Sequence, residues 1–137
     1  MILVDTNLIA ETMRPRPDRR VVAWLVTHDA DLALSAVVVG EIAYGIEKIR
    51  HDERSQRLLG NLSSWRQRFA SRILAYDDAA ALIYGRLMGT AKLQGRVVGA
   101  PDGMIAATAL KHGAAVATRN VEHFQFEGLQ VIDPWAA

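Results

Sequence analysis

The sequence predicts an α/β fold in which helices flank a parallel β-sheet. Three observations predict it. Short apolar runs rich in branched residues recur along the chain, and longer segments of helical period separate them. Half of the 137 residues are apolar and 23% are charged, the balance of a globular protein rather than a disordered or membrane one, and the length suits one domain spanning 1–137.

The first apolar run, Ile2 to Asp5, is predicted as a strand, and a helix over Leu8 to Met13 follows until Pro15 and Pro17 stop it. A second helix is expected from Arg20 to Thr27, then a strand from Leu32 to Ser35 and a helix from Val38 to Arg50. The next helix, Ser55 to Ala70, places Leu58, Leu59, Leu62, Trp65 and Phe69 at helical spacing, which predicts a buried face. A strand over Ile73 to Tyr76 leads to a long helix, Asp78 to Leu93, that Asp77 or Asp78 can cap. A helix from Asp102 to His112 closes at Gly113, and strands at Ala114 to Thr118 and Leu129 to Ile132 complete the pattern.

The chain holds no cysteine, so disulfide frameworks, thiolate zinc sites and cysteine nucleophiles are excluded. It enters Ile2-Leu3-Val4 directly, without the basic and apolar segments of a signal peptide, and no run is long enough to span a membrane; a cytoplasmic location is expected. The net charge is +1, but arginines cluster at Arg14, Arg16, Arg19 and Arg20 and again from Arg50 through Arg72, and either set can build a nucleic-acid surface or merely solvate helix faces. His28, His51, His112 and His123 share no zinc-like spacing and are expected as surface or capping residues.

Three acids stand apart from this solvated charge. In an open parallel sheet, ligands bind beyond the carboxyl ends of the strands where strand order reverses. Asp5 ends the first apolar strand and precedes Thr6-Asn7, so it can cap a helix or face such a crevice. Glu41 is the only charge in Val37 to Ile46, and a carboxylate beside an apolar stripe calls for an ion-pair partner or a metal. Asp102 follows Pro101 in the first turn of an apolar helix, where the helix dipole favours it. Convergence of the three would bring like charges together, and a hard divalent cation with oxygen ligands, magnesium first and manganese next, relieves that repulsion. Thr118-Arg119-Asn120 ends the fourth strand at the same edge, where Thr118 and Asn120 can hold water beside a metal and Arg119 can meet phosphate.

Taken together, Leu3-Val4-Asp5-Thr6-Asn7, Glu41 on an early apolar helix, Asp102 ahead of Ile105-Ala106-Ala107-Thr108-Ala109, and Thr118-Arg119-Asn120 resemble PIN-domain nucleases. Asp133-Pro134-Trp135 and Val21-Val22-Ala23-Trp24-Leu25 are similar to the VapC and FitB branch, toxins of type II toxin–antitoxin pairs. The resemblance implies a PIN-like three-layer sandwich with a five-stranded parallel sheet of order 3-2-1-4-5. It also implies a homodimer, magnesium- or manganese-dependent cleavage of RNA to 5′-phosphate and 3′-hydroxyl ends, and a cognate VapB-like antitoxin, with a higher toxin–antitoxin assembly on operator DNA. Carried over by position, Asp5, Glu41 and Asp102 match the family's acids. Asp5 and Asp102 are expected as direct or water-bridged ligands, and Glu41 as a ligand or the acceptor of the attacking water's proton. Thr6, Asn7, Ser35, Thr118, Arg119 and Asn120 are expected to support them or to bind phosphate. Asn120 departs from the pattern, because many members carry a fourth acid there; Glu122 is the nearest acid. Weaker binding of a second metal is the expected consequence.

Other α/β folds with acids at one sheet edge fit less well. A phosphoacceptor receiver needs a lysine where Thr118-Arg119 stand, and a haloacid-dehalogenase-type phosphatase needs aspartate at the position of Asn7. The competing function is a non-catalytic PIN-like module that binds RNA or an antitoxin without cutting.

Overall fold

The computed structural model describes residues 1–137. In chain order the elements are β1 (Ile2–Val4), α1 (Thr6–Thr12), α2 (Arg19–Thr27), β2 (Leu32–Ser35), α3 (Ala36–Glu47), α4 (Ser55–Arg68), β3 (Ile73–Leu74), α5 (Asp78–Leu93), α6 (Ala100–Lys111), β4 (Ala115–Ala117) and β5 (Val131–Ile132). Tight 3-10 turns occupy Asp29–Asp31, Ala70–Arg72 and Val121–Phe124. No helix is long and apolar enough to cross a membrane.

All four strand pairings are parallel, and the order is β3-β2-β1-β4-β5, as the family resemblance implied. Leu3 and Val4 of β1, all of β2 and all of β4 are buried, because a parallel sheet covered by crossover helices leaves its central strands no wet face. The chain steps outward from β1 through β2 to β3, then returns to β4 on the other side of β1. Order therefore reverses around β1, which opens a crevice beyond its carboxyl end.

The expected elements are all present: β2 and α5 have the expected bounds, the other strands are shorter, and α1, α2, α3 and α6 begin one or two residues earlier. Asp5 leaves β1 because its carboxylate turns to accept from the Thr6 N–H at 2.8 Å and caps α1. Ser35 caps α3, and Asp77 caps α5 by accepting from Ala80 N at 3.0 Å. Gly113, with φ +63°, ends α6 in a conformation that a side chain would disfavour. The predicted buried face of α4 is only partly so. Leu62 and Phe69 enter the core, Leu58 and Trp65 are half-buried, and Leu59 is 46% exposed. Leu58 and Trp65 pack beside the core rather than inside it, and Trp65 turns its indole N–H to the Thr12 hydroxyl at 3.2 Å.

Candidate active site

The site begins with two neighbouring strand ends. Asp5 N donates to Ala117 O at 3.0 Å, so the parallel ladder of β1 and β4 delivers Asp5 and Thr118 side by side. Both are buried, Asp5 at 4% exposure and Thr118 completely. The Thr118 hydroxyl donates to Asp5 Oδ2 at 2.8 Å and accepts from Asn7 Nδ2 at 3.1 Å and Asn120 N at 3.0 Å. Asn7 Nδ2 also reaches Asp5 Oδ2 at 3.3 Å, while its amide oxygen accepts from Arg119 N at 3.3 Å. Asp5, Asn7, Thr118 and the Arg119-Asn120 backbone thus form one network that fixes the Asp5 carboxylate.

Glu41 arrives from the second turn of α3. It is half-buried, and its Oε1 accepts from the Thr6 hydroxyl at 2.7 Å. Asp102 arrives from the first turn of α6. Gly99 is the cap there and makes no side-chain bond, so Asp102 is free of the capping role its position allowed. Its Oδ2 lies 3.2 Å from His123 Nδ1. The turn Val121–Phe124 carries this histidine; it is at the surface, as expected, but it also pairs with Asp102, which sequence spacing did not foresee because the two meet only once β4 and α6 have packed.

Electrostatics tie the three acids together. Burial pushes the Asp5 carboxyl above its ordinary range; hydrogen bonds from Thr118 and Thr6 pull it back, and the charges of Asp102 and Glu41 raise it again. Burial also raises Asp102, with His123 opposing. Neither Asp5 nor Glu41 has an ion-pair partner among the salt bridges of the structure. The ion pair with arginine that could have explained Glu41 is absent. A buried carboxylate that feels two more negative charges and has no ion-pair partner is an electrostatic deficit, and carboxylate oxygens suit a hard divalent ion.

No three His, Asp or Glu side chains form a ready-made cluster able to hold a metal ion. Magnesium does not require one: it keeps several waters and is held through one or two carboxylates, unlike zinc in its closed cages. The structure thus does not bring Asp5, Glu41 and Asp102 into one ligating cluster, as convergence predicted, and what they offer a hard divalent ion is carboxylate oxygens that would act in part through water.

The remaining predicted residues fall into two groups. Thr6, Asn7, Thr118 and the backbone of Asn120 hold the acids, as described. Ser35 does not: its hydroxyl accepts from Val37 N at 3.1 Å and serves α3. Arg119 lies with its guanidinium 5.2 Å from the Trp135 ring centre, a cation–π contact, and pairs with none of the acids. Glu122 is 76% exposed and faces His123 Nε2 at 3.8 Å, so it does not take the place of a fourth acid.

Comparison with known proteins matches the chain to one family by sequence and by fold. The PIN domain family matches residues 2–128. The chain is 41% identical over 137 residues to the toxin FitB of Neisseria gonorrhoeae, covering 98% of this chain and 99% of that protein. It is 40% identical over 140 residues to the VapC ribonuclease Y4jK of Sinorhizobium fredii, covering 98% of each. Its fold matches a chain in the structure of FitAB bound to an IR36 DNA fragment with a TM-score of 0.89 at 40% identity, covering 98% of this chain and 96% of that one.

Proposed function

This chain belongs to the PIN domain family, and we propose that it is a magnesium- or manganese-dependent endoribonuclease of 1–137 in a single domain, the toxin of a type II toxin–antitoxin pair. The observation that carries the proposal is the buried Asp5 carboxylate, fixed by Thr118 and Thr6, in the field of Glu41 and Asp102 with no cationic side chain to balance it.

Asp5 and Asp102 hold the ion in this proposal, directly or through water, and Glu41 completes the set. Such an ion orients and acidifies a water and neutralises charge building on the phosphate. The protein supplies the rest. Thr118 and Asn7 fix one Asp5 oxygen, and the Thr6 N–H fixes the other, so the carboxylate does not swing when substrate enters. Thr6 occupies Glu41 Oε1, which leaves Oε2 to accept the proton of the attacking water. Arg119, braced by Trp135, is placed to meet a phosphate of the RNA. Attack forms the bond from water oxygen to phosphorus and breaks the bond to the ribose 3′ oxygen, so no side chain needs to become covalently attached.

A toxin of this kind needs a neutralising partner. A groove of about 310 Å³ between α2 and α4, lined by Val22, Leu25, Val26, Trp65 and Phe69 and edged by the Arg68–Asp29 pair, offers a seat for an antitoxin segment. The FitAB assembly on DNA supports a VapB-like antitoxin and an operator complex here too.

The test is cleavage of RNA by the chain freed of its antitoxin. Magnesium is expected to restore cleavage that EDTA abolishes, and Asp102→Asn to remove it. RNA binding with no metal-dependent cleavage would instead establish the non-catalytic module.

A further inference from the structure

A second cavity, of about 550 Å³, lies between α5 and the segment after the Val121–Phe124 turn, and its lining includes Arg86, Thr90, Gln94, Arg96, Gln125 and Phe126. Its lining comes close in sequence to residues of the acidic site. Gln125 follows His123, the partner of Asp102, by two residues, and Arg96 lies in the short loop that leads from α5 into the first turn of α6. Neither Arg86 nor Arg96 pairs with a carboxylate in the structure's ion pairs, although Glu127 also lines the cavity.

Arg96 is half-buried and its guanidinium stands over the Phe126 ring at 5.2 Å. Seated on an aromatic face, a guanidinium keeps its N–H edge for an anion and offers its other face for stacking. Gln125 spends its amide N–H on Val121 O at 3.0 Å, which leaves its amide oxygen as an acceptor; Thr90 and Gln94 are exposed on the helix wall. Two unpaired cations, a stacking plane and neutral groups that both donate and accept are what single-stranded RNA requires, since it is held by phosphate contacts, by stacking of unstacked bases and by hydrogen bonds to base edges. An acidic peptide could pair with the arginines and amides, but it has no planar base in each unit to occupy the stacking face.

We infer that this cavity is an RNA subsite that receives one unstacked nucleotide a few positions from the scissile bond, its phosphate on Arg86 and Arg96 and its base against the Arg96–Phe126 stack. The inference rests on the ribonuclease function proposed above, and it adds where the substrate strand leaves the acids.

The experiment compares parent, Arg86→Ala/Arg96→Ala and Gln94→Glu. Gln94 is exposed, so Gln94→Glu introduces a negative charge without disturbing the core. Binding of a labelled single-stranded oligoribonucleotide is measured in EDTA by fluorescence anisotropy at several salt concentrations. Magnesium-dependent hydrolysis of bis(p-nitrophenyl) phosphate, too small to reach the cavity, reports the acids alone. Both variants are expected to bind RNA at least about tenfold more weakly, as loss of a charge-assisted contact predicts. The double variant should also lose about 0.7 in salt slope per phosphate released, with hydrolysis of the small ester unchanged. Parental RNA affinity and salt slope in both variants would overturn the subsite, as would a loss confined to antitoxin affinity. A parent that fails to cut RNA with magnesium refutes the ribonuclease proposal instead, so the two failures are distinct.

Discussion

Thr118→Val removes one oxygen and keeps the shape of the side chain, which makes it a sharp probe of the site. The hydroxyl makes three hydrogen bonds: it donates to Asp5 Oδ2 at 2.8 Å and accepts from Asn7 Nδ2 and Asn120 N. The first goes to a buried carboxylate, and a hydrogen bond to a charged group contributes about 1.5–3 kcal/mol. Asn7 is half-buried and Asn120 exposed, so water replaces part of what they lose. No cavity is made, because valine fills the same volume in a fully buried position. The sum is a destabilisation of about 2–3 kcal/mol, or roughly 10 °C in melting temperature for a domain of this size. Measured in EDTA, thermal unfolding reads this without the metal. The functional effect is separate: freed of its anchor, Asp5 holds the ion less firmly, and loss of a group that orients a metal ligand costs about 10- to 100-fold in metal affinity or activity. Magnesium titration of RNA cleavage measures that. Thr118→Ser, which restores the oxygen, should recover metal affinity while remaining less stable than the parent. A valine variant with parental melting temperature and magnesium dependence would refute the anchoring role.

Three further outcomes follow from the same geometry. Because burial and two neighbouring acids raise the Asp5 carboxyl, the folded metal-free chain binds this proton more tightly than the unfolded one. Its stability contribution is present below the unfolded pKa and lost as pH rises through the raised folded value, so in EDTA the melting temperature of the parent should fall, relative to that of Asp5→Asn, as the pH rises from acid to 7. Asp5→Asn should lack this pH dependence, and magnesium should stabilise only the parent. Glu11 is 5% exposed and accepts from Arg14 Nη1 at 3.1 Å and Asp18 N at 3.0 Å, closing the link between α1 and α2. Glu11→Ala should cost about 2–3 kcal/mol in urea unfolding while folded enzyme keeps its magnesium dependence. Asn120→Asp should lower the magnesium concentration for half-maximal cleavage and Asn120→Ala should raise it; an unmoved titration in both would remove Asn120 from the site.

Much of this was legible in the residues. Asp5 was identifiable because a charge at the end of a fully apolar strand marks a sheet edge, and Glu41 because one charge among valines and isoleucine needs a partner. What the pattern could not supply was long-range pairing. His123 meets Asp102 only through the packing of a short turn against α6, and nothing in their spacing encodes it. Glu11 sits in a helix short enough that burial is decided by its neighbours, so its role in holding Asp18 was invisible. Ser35 stands at the expected edge yet serves the start of α3, because an N-cap uses the same residue type as a ligand-supporting hydroxyl. The Arg86 and Arg96 cavity joins α5 to a segment about thirty residues later, a juxtaposition set by topology rather than by local sequence.

Anomalous diffraction from crystals soaked in manganese tests the central claim most directly. The account predicts a manganese peak bounded by the carboxylates of Asp5 and Asp102, with Glu41 facing it directly or through one water, and no peak in Asp5→Asn. Manganese held elsewhere in a cleavage-competent crystal, with these acids left to water alone, would contradict it.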